Sequence, residues 1–301
     1  MLKRLWKPWF VHRPTQIVRR AWLGVFPPDK GYRPVRTSWG ASLFVDPSRT
    51  IGRNIASTGL FDIAVSELLA RLIKPGATVY DVGANVGHMS LLSAFAAGPQ
   101  GEVHAFEPHP DLIKYLRSNV EGGQGMAHRA PVKTHQLALG AQVGSAQLYM
   151  SDYFDRNDGV ASLVGTGPSV EVRVDTLDDF VKKGRVDVMK VDVEGFEYEV
   201  FRGGQSVLAE HRITHILFEE HGYEDGRVFG LLREFGYRIF SIGWTISNLK
   251  VLPVEQGVAH ASYETPNFIA TVAPGELAEC CRERGWKVLR RNLGQVRREA
   301  A

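Results

Sequence analysis

The 301-residue sequence predicts an α/β protein, a mostly parallel sheet with helices on both faces. From residue 78 onward, short apolar runs alternate with segments of helical periodicity. A glycine-rich turn joins the first of these runs to the first of these helices. Acidic residues gather at the ends of several runs, and the carboxyl rim of an open α/β sheet is where such folds bind ligands.

The elements follow in order. Residues 42–45 read as a short strand, and residues 61–73 carry apolar side chains at 61, 64, 65, 68, 69 and 72, a helical period stopped by Pro75 and Gly76. Next come strand 78–82, helix 89–97, strand 102–106, helix 110–120 and strand 133–139. Strand 186–193, helix 197–208, strand 214–218, helix 228–235 and strand 238–242 continue the alternation. Between them, alternating stretches 146–150 and 170–174 flank a polar loop containing "RNDGVASL", a β-hairpin insertion whose long tip is either a lid or a surface excursion.

Composition narrows the function classes. The chain is 44% hydrophobic without an apolar run long enough to span a bilayer, so a soluble globular protein is expected. Cys280 and Cys281 are adjacent and alone, giving neither a disulfide framework nor a spaced metal motif; a reducing cytoplasm is the expected location. Net charge is +3, yet the first 28 residues hold Lys3, Arg4, Lys7, Arg13, Arg19 and Arg20 and no acid. Removing those six leaves 30 basic groups against 33 acidic ones, which argues against a nucleic-acid surface. Leu2, Leu5, Trp6, Trp9 and Phe10 recur among the cations, which suits either a helix lying on an anionic membrane or a basic extension docked on the body. The basic and aromatic residues also break up any secretory apolar region. Four regions result: an arm at 1–30, a strand and helix lead-in at 31–75, the main domain at 76–274, and a C-terminal helix with a basic tail at 275–301.

The main chemical signal is "VYDVGANVGHMSLL", residues 79–92, in which a strand ends at Asp81 and a turn with Gly83, Asn85 and Gly87 opens a helix. Glycines there are expected to let the backbone pass close to a ligand at the helix amino end. The order differs from G-x-G-x-x-G, so the usual pyrophosphate turn is not reproduced. "EVHAFEP" delivers Glu107 24 residues after Gly83, where a carboxylate can accept both ribose hydroxyls. Asp81 beside the turn favours a cationic amino acid moiety over a pyrophosphate, which points to S-adenosylmethionine rather than NAD.

These motifs, with "VHAFEPHPDLIKYLRSNV", "VDTLDDF", "DVMKVDVEGFEYEVFRGGQSVL" and "ILFEEH" in the same order, resemble the FkbM family of S-adenosylmethionine-dependent methyltransferases over roughly residues 78–242. The resemblance implies a class I methyltransferase (Rossmann-like) fold, with a seven-stranded sheet whose last strand is antiparallel, a role that "PNFIATVA" at 266–273 would fill. It implies O-methylation of hydroxyls on sugars, glycans or glycolipids, or natural products. It places the cofactor at Asp81, Gly83, Ala84, Asn85, Gly87 and Glu107. After the third strand the sequence reads "LALG", so Ala138 offers adenine only its backbone.

A sugar hydroxyl needs a base to take its proton. Lys190, Asp192 and Glu194 alternate, so an extended strand would project them to one face about 6.6 Å apart, at the cleft where buried charge is tolerated. The bland reading is a structural pair of Lys190 with Asp192 or Glu194. Glu197 and Glu199 fall in the first turns of the next helix and serve its dipole. His221, after Glu219 and Glu220, has the proton affinity for a base near neutral pH and would share that rim. His88 and His109 would line or cap the cofactor pocket. Asp192, Glu194 and Glu219 could instead collect a divalent cation. Two rival functions stay open, an NAD-dependent oxidoreductase and a non-catalytic protein with a degenerate nucleotide pocket; acceptor and oligomeric state are not legible.

Overall fold

The computed structural model describes residues 28–122, 128–150, 161–182, 184–220, 226–258 and 266–289, with positions 8, 16, 18, 21, 22, 25 and 26. The hairpin tip at 151–160, His221, the tail at 290–301 and most of the basic arm lie outside the described residues.

In chain order, β1 (Arg33–Arg36) and β2 (Ser42–Val45) form an antiparallel pair, followed by α1 (Thr50–Thr58) and α2 (Ile63–Leu72). Then alternate β3 (Thr78–Val82), α3 (His88–Ala97), β4 (Glu102–Phe106), α4 (Leu112–Glu121) and β5 (Val132–His135). β6 (Ala138–Leu139), β7 (Gly144–Met150), β8 (Ala161–Ser162) and β9 (Ser169–Asp175) build a second, four-stranded sheet. After α5 (Leu177–Val181) come β10 (Val186–Val191), α6 (Glu197–Arg202), α7 (Gln205–Ala209), β11 (Ile213–Glu219), α8 (Arg227–Glu234), β12 (Arg238–Trp244), β13 (Leu249–Pro253), β14 (Asn267–Thr271) and α9 (Pro274–Arg282).

The main sheet runs β13-β12-β14-β11-β10-β3-β4-β5. Strands from β11 to β5 are parallel, and β14 enters antiparallel between β11 and β12. The expected antiparallel last strand is therefore present, but the sheet has eight strands rather than seven. The eighth, β13, doubles back on β12 at the edge. Side chains one residue apart enter opposite cores, as the strand pleat requires. Val79, Val103, Val188 and Leu217 pack with α2 and α3, while Tyr80, Phe106, Met189 and Phe218 pack with α6, α7 and α8.

Other boundaries shift for local reasons. The run expected at 133–139 splits, because the chain leaves the main sheet after His135 and Ala138 pairs with Val174 in the second sheet. The helix expected at 197–208 breaks at Gly203 and Gly204. A Cβ at Gly203 would lie 1.9 Å from the Gly140 carbonyl oxygen, so only glycine permits this contact between the helices and the second sheet. The hairpin insertion is present as β7 paired with β9, Gly144 opposite Val174 through Tyr149 opposite Ser169. Among the described residues, no helix is long and apolar enough to cross a membrane.

One buried ion pair fastens the C-terminal stretch to the body. In α2, Arg71 Nε donates to Glu67 Oε1 at 2.7 Å, and both side chains are almost wholly enclosed. Glu67 also accepts the backbone N–H groups of Lys287 and Val288, while Arg71 donates to the carbonyls of Glu283 and Gly285. Neither charge is left without partners, the condition under which buried ions are tolerated. We expect Glu67→Ala to lower unfolding free energy by about 3–5 kcal/mol, because it strands the Arg71 guanidinium. Urea denaturation checks this, and a loss under about 1 kcal/mol would count against the clamp.

Candidate active site

The carboxyl ends of β3, β4, β10 and β11 open into one cavity of about 670 Å³. Gly83, Asn85, Glu107, Ala138, Lys190, Asp192 and Glu194 line it, so seven of the eleven residues singled out in the sequence meet there. Asp81, Ala84 and Gly87 are buried beside the turn but do not form its wall, and His221 is outside the described residues.

The turn after β3 is saturated by its own hydrogen bonds. Gly83 and Ala84 donate to the Phe106 carbonyl at 3.0 and 2.9 Å, and Gly87 donates to the Ala84 carbonyl at 2.8 Å. Asn85 N–H donates to Glu107 Oε2, and Val86 N–H to Asn85 Oδ1, each at 2.8 Å. No N–H between Gly83 and Gly87 is left for a pyrophosphate. The glycines also answer to the protein rather than to a ligand. At Gly83, φ +80°, a Cβ would lie 1.9 Å from the Asp192 carbonyl oxygen; at Gly87, φ +89°, it would lie 2.5 Å from Leu116 Cδ1.

Glu107 sits at the end of β4 with each carboxylate oxygen accepting one N–H, from Asn85 and from His109. Burial pushes its pKa up to about 7, against the lowering effect of those bonds and of Lys190. Leu137, Ala138 and Leu139 continue the wall as an apolar strip. A carboxylate with lone pairs still open toward a cavity, next to an apolar strip, fits the ribose and base of an adenosine. The saturated turn fits a cofactor without phosphates.

Lys190 is the electrostatic centre. Its Nζ lies 3.2 Å from Asp192 Oδ2 and 3.6 Å from Asp81 Oδ1, and donates to the Gly83 carbonyl at 3.4 Å. Burial would lower its pKa, but the two aspartates outweigh burial and hold it above the ordinary lysine value. The lysine therefore stays an ammonium and cannot be the base. Asp81 takes a further hydrogen bond from Ser90 Oγ. The structural pair anticipated for Lys190 thus exists with Asp192, and with Asp81 across the strands, where the two face each other in register.

Glu194 does not continue the extended line of Lys190 and Asp192. The strand ends at Val191, and Glu194 takes a left-handed φ of +54° that turns its half-buried side chain to the cavity. Burial first, then Asp192 and Glu197, push its pKa up to about 7. Its carbonyl accepts a hydrogen bond from Ser162 Oγ, which ties the second sheet to the rim. Glu197 does more than favour the helix dipole: its carboxylate accepts the Val193 N–H at 2.9 Å and braces this turn. Glu199 pairs with Arg202. His88 and His109 do not line the cavity. His88 is buried against Trp39, and His109 Nδ1 accepts the N–H groups of Asp111 and Leu112 at the start of α4.

Apart from Glu219, the far wall was not read from the sequence. Asp62 caps α2, accepting the Ala64 and Val65 N–H groups, and its other oxygen accepts from Asn267 Nδ2 at 2.9 Å. Trp244 and Glu219 face the same space. The run expected at 61–73 begins its helix only at Ile63, after Asp62 as cap, and nothing in the sequence links Asp62 to Asn267, 205 positions on. Among the described residues, no three His, Cys, Asp or Glu side chains form a metal-binding group.

Glu107 sets a pH dependence. Accepting ribose hydroxyls requires the carboxylate, so affinity should rise as pH passes upward through about 7. Calorimetry with S-adenosylhomocysteine should show binding about tenfold or more tighter at pH 8.5 than at pH 5.5, and Glu107→Gln should bind weakly at both. Equal affinity at the two pH values in the parent chain would exclude this contact.

Comparison with known proteins gives the chain a family. The model of the Methyltransferase FkbM domain matches residues 81–239, just over half of the chain. The 31-O-demethyl-FK506 methyltransferase FkbM of Streptomyces tacrolimicus is 28% identical over 201 residues, 56% of this chain and 75% of that protein. The hexuronic acid methyltransferase AglP of Haloferax volcanii is 29% identical over 174 residues, 56% of this chain and 67% of that protein. Methyltransferase 1 of Beauveria bassiana is 31% identical over 147 residues, 42% of this chain and 57% of that protein. A crystal structure of methyltransferase FkbM from Methylobacillus flagellatus overlays 72% of this chain and 52% of its own at TM-score 0.43 and 13% identity. The glycine turn, the carboxylate after the second parallel strand and the matched span together place the chain in the FkbM family of S-adenosylmethionine-dependent methyltransferases.

Proposed function

We propose that the chain is an O-methyltransferase whose acceptor is a hydroxyl of a sugar, free or within a glycan, glycolipid or natural product. The observation that carries this reading is that one cavity holds both Glu107, suited to an adenosine, and Glu194, suited to taking a proton near neutral pH. Glu107 would hold the ribose hydroxyls and the strip at Leu137, Ala138 and Leu139 the adenine, with the Gly83 to Asn85 turn and Asp192 at the amino acid end. When bound, S-adenosylmethionine supplies a methyl on a sulfonium, an electrophile that needs no further activation.

The protein's own task is to position the hydroxyl in line with that methyl and to receive its proton. Glu194 accepts the proton as the new O–CH₃ bond forms and the S–CH₃ bond breaks. Its pKa of about 7 matches the affinity a base needs at neutral pH. Lys190 fixes Asp192 beside it, and His221 is the second candidate base.

Glu194→Gln should lower kcat about 10²- to 10⁴-fold while leaving S-adenosylhomocysteine affinity within about twofold. The assay is transfer of a labelled methyl group to material from the source organism, with the product identified by mass spectrometry. Unchanged turnover in Glu194→Gln together with its loss in His221→Ala would move the role to the histidine.

The membrane reading of the arm belongs here too. Val18, Trp22, Val25 and Phe26 are exposed, at 72, 59, 71 and 58%, within residues 1–28, which carry six cations and no acid. This is the composition of a helix face at an anionic bilayer, where a lipid-linked sugar would be presented. The paired variant Trp22→Ser, Phe26→Ser should lose most sedimentation with anionic vesicles. Equal sedimentation of variant and parent would sink this role.

A further inference from the structure

The charge of the cavity wall restricts the acceptor. Among the described residues, five carboxylates line it, Asp62, Glu107, Asp192, Glu194 and Glu219, and one cation, Lys190. That leaves −4 at full ionisation. Lys190 is shared between Asp192 and Asp81, so its charge is already balanced from within the protein. No arginine or histidine among the described residues faces the space. The raised proton affinities of Glu107 and Glu194 agree, since burial and, for Glu194, the neighbouring carboxylates Asp192 and Glu197 both disfavour more negative charge.

The wall opposite the cofactor side has a second character. Asp62 and Asn267 form a hydrogen-bonded carboxylate and amide pair, and Trp244 adds an aromatic surface to the same space. Hydroxyl-rich rings are recognised by such polar pairs and by the flat face of an aromatic side chain.

We infer that the acceptor is a neutral or amine-bearing sugar, and that the cavity rejects sugars carrying a carboxylate next to the reacting hydroxyl. This rests on the sugar-hydroxyl reading above. It departs from the hexuronic acid named for the Haloferax volcanii relative. A uronate would add negative charge to a partly enclosed, carboxylate-lined space in which Lys190, already held by Asp81 and Asp192, is the one cation among the described residues. An unpaired like charge there costs on the order of tenfold or more in affinity.

The test uses the full chain with S-adenosylmethionine and three matched acceptors: methyl glucoside, methyl glucosaminide and methyl glucuronide. Methyl transfer is measured as kcat/KM, and binding to the S-adenosylhomocysteine complex by saturation-transfer NMR. The neutral and amino sugars should bind and exceed the glucuronide in kcat/KM by about tenfold or more. Asp62→Asn, which keeps an oxygen to cap α2, and Glu219→Gln should each narrow that gap several-fold, as should added salt. A glucuronide used as well as or better than the glucoside overturns the charge inference and leaves O-methylation of sugars standing. Binding of S-adenosylhomocysteine without binding of any of the three sugars overturns the sugar reading and this inference with it.

Discussion

The site depends on one buried ammonium. Lys190 stands between Asp81 on β3 and Asp192 after β10, and its third partner is the carbonyl of Gly83. An unpaired charge at this depth would be prohibitive, so the strand ends must converge on it. That convergence presses Gly83 against the Asp192 backbone so closely that no side chain fits between them. The shape of the turn, the direction of Asp192 and the mouth of the cavity therefore follow from a single charge.

Much of this was legible in the sequence, because periodicity and strand-end chemistry are local. Strand Glu102–Phe106 and the helix from His88 appear within a residue of their expected positions, and Glu107 sits where the spacing from Gly83 put it. What the sequence hid is what the sheet register decides. The pairing of Lys190 with Asp81 joins residues 109 positions apart, and the wall of Asp62, Trp244 and Asn267 gathers three distant segments. The reason for the glycines was also hidden. A ligand and a neighbouring backbone both demand glycine, and only coordinates distinguish them. The expected line from Lys190 to Glu194 failed because the strand ends at Val191 and Glu194 and Gly195 beyond it take left-handed conformations.

The cavity divides its labour by chemistry. On the β4 side, a carboxylate held by two backbone N–H groups lies beside an apolar strip, the pair proposed to receive hydroxyls and a flat base. On the β10 and β11 side, Asp192, Glu194 and Glu219 line the space proposed for the acceptor. The second sheet reaches this boundary through Ser162, whose hydroxyl holds the carbonyl of Glu194. Changes in that insertion can thus tune the proposed base without touching the cofactor side.

The placement of β14 has a consequence for how the chain is made. This strand lies between β11 and β12 although it follows both in sequence, and it brings Asn267 to Asp62. Glu67 in turn waits for the backbone N–H groups of residues 287 and 288. During synthesis, β11 and β12 cannot be joined as in the finished sheet until β14 has emerged, and Glu67 lacks two of its three hydrogen-bond partners until residues 287 and 288 follow. Contacts of such long sequence separation close slowly. The nascent enzyme therefore has an open, aggregation-prone sheet edge until residues 267–271 have emerged.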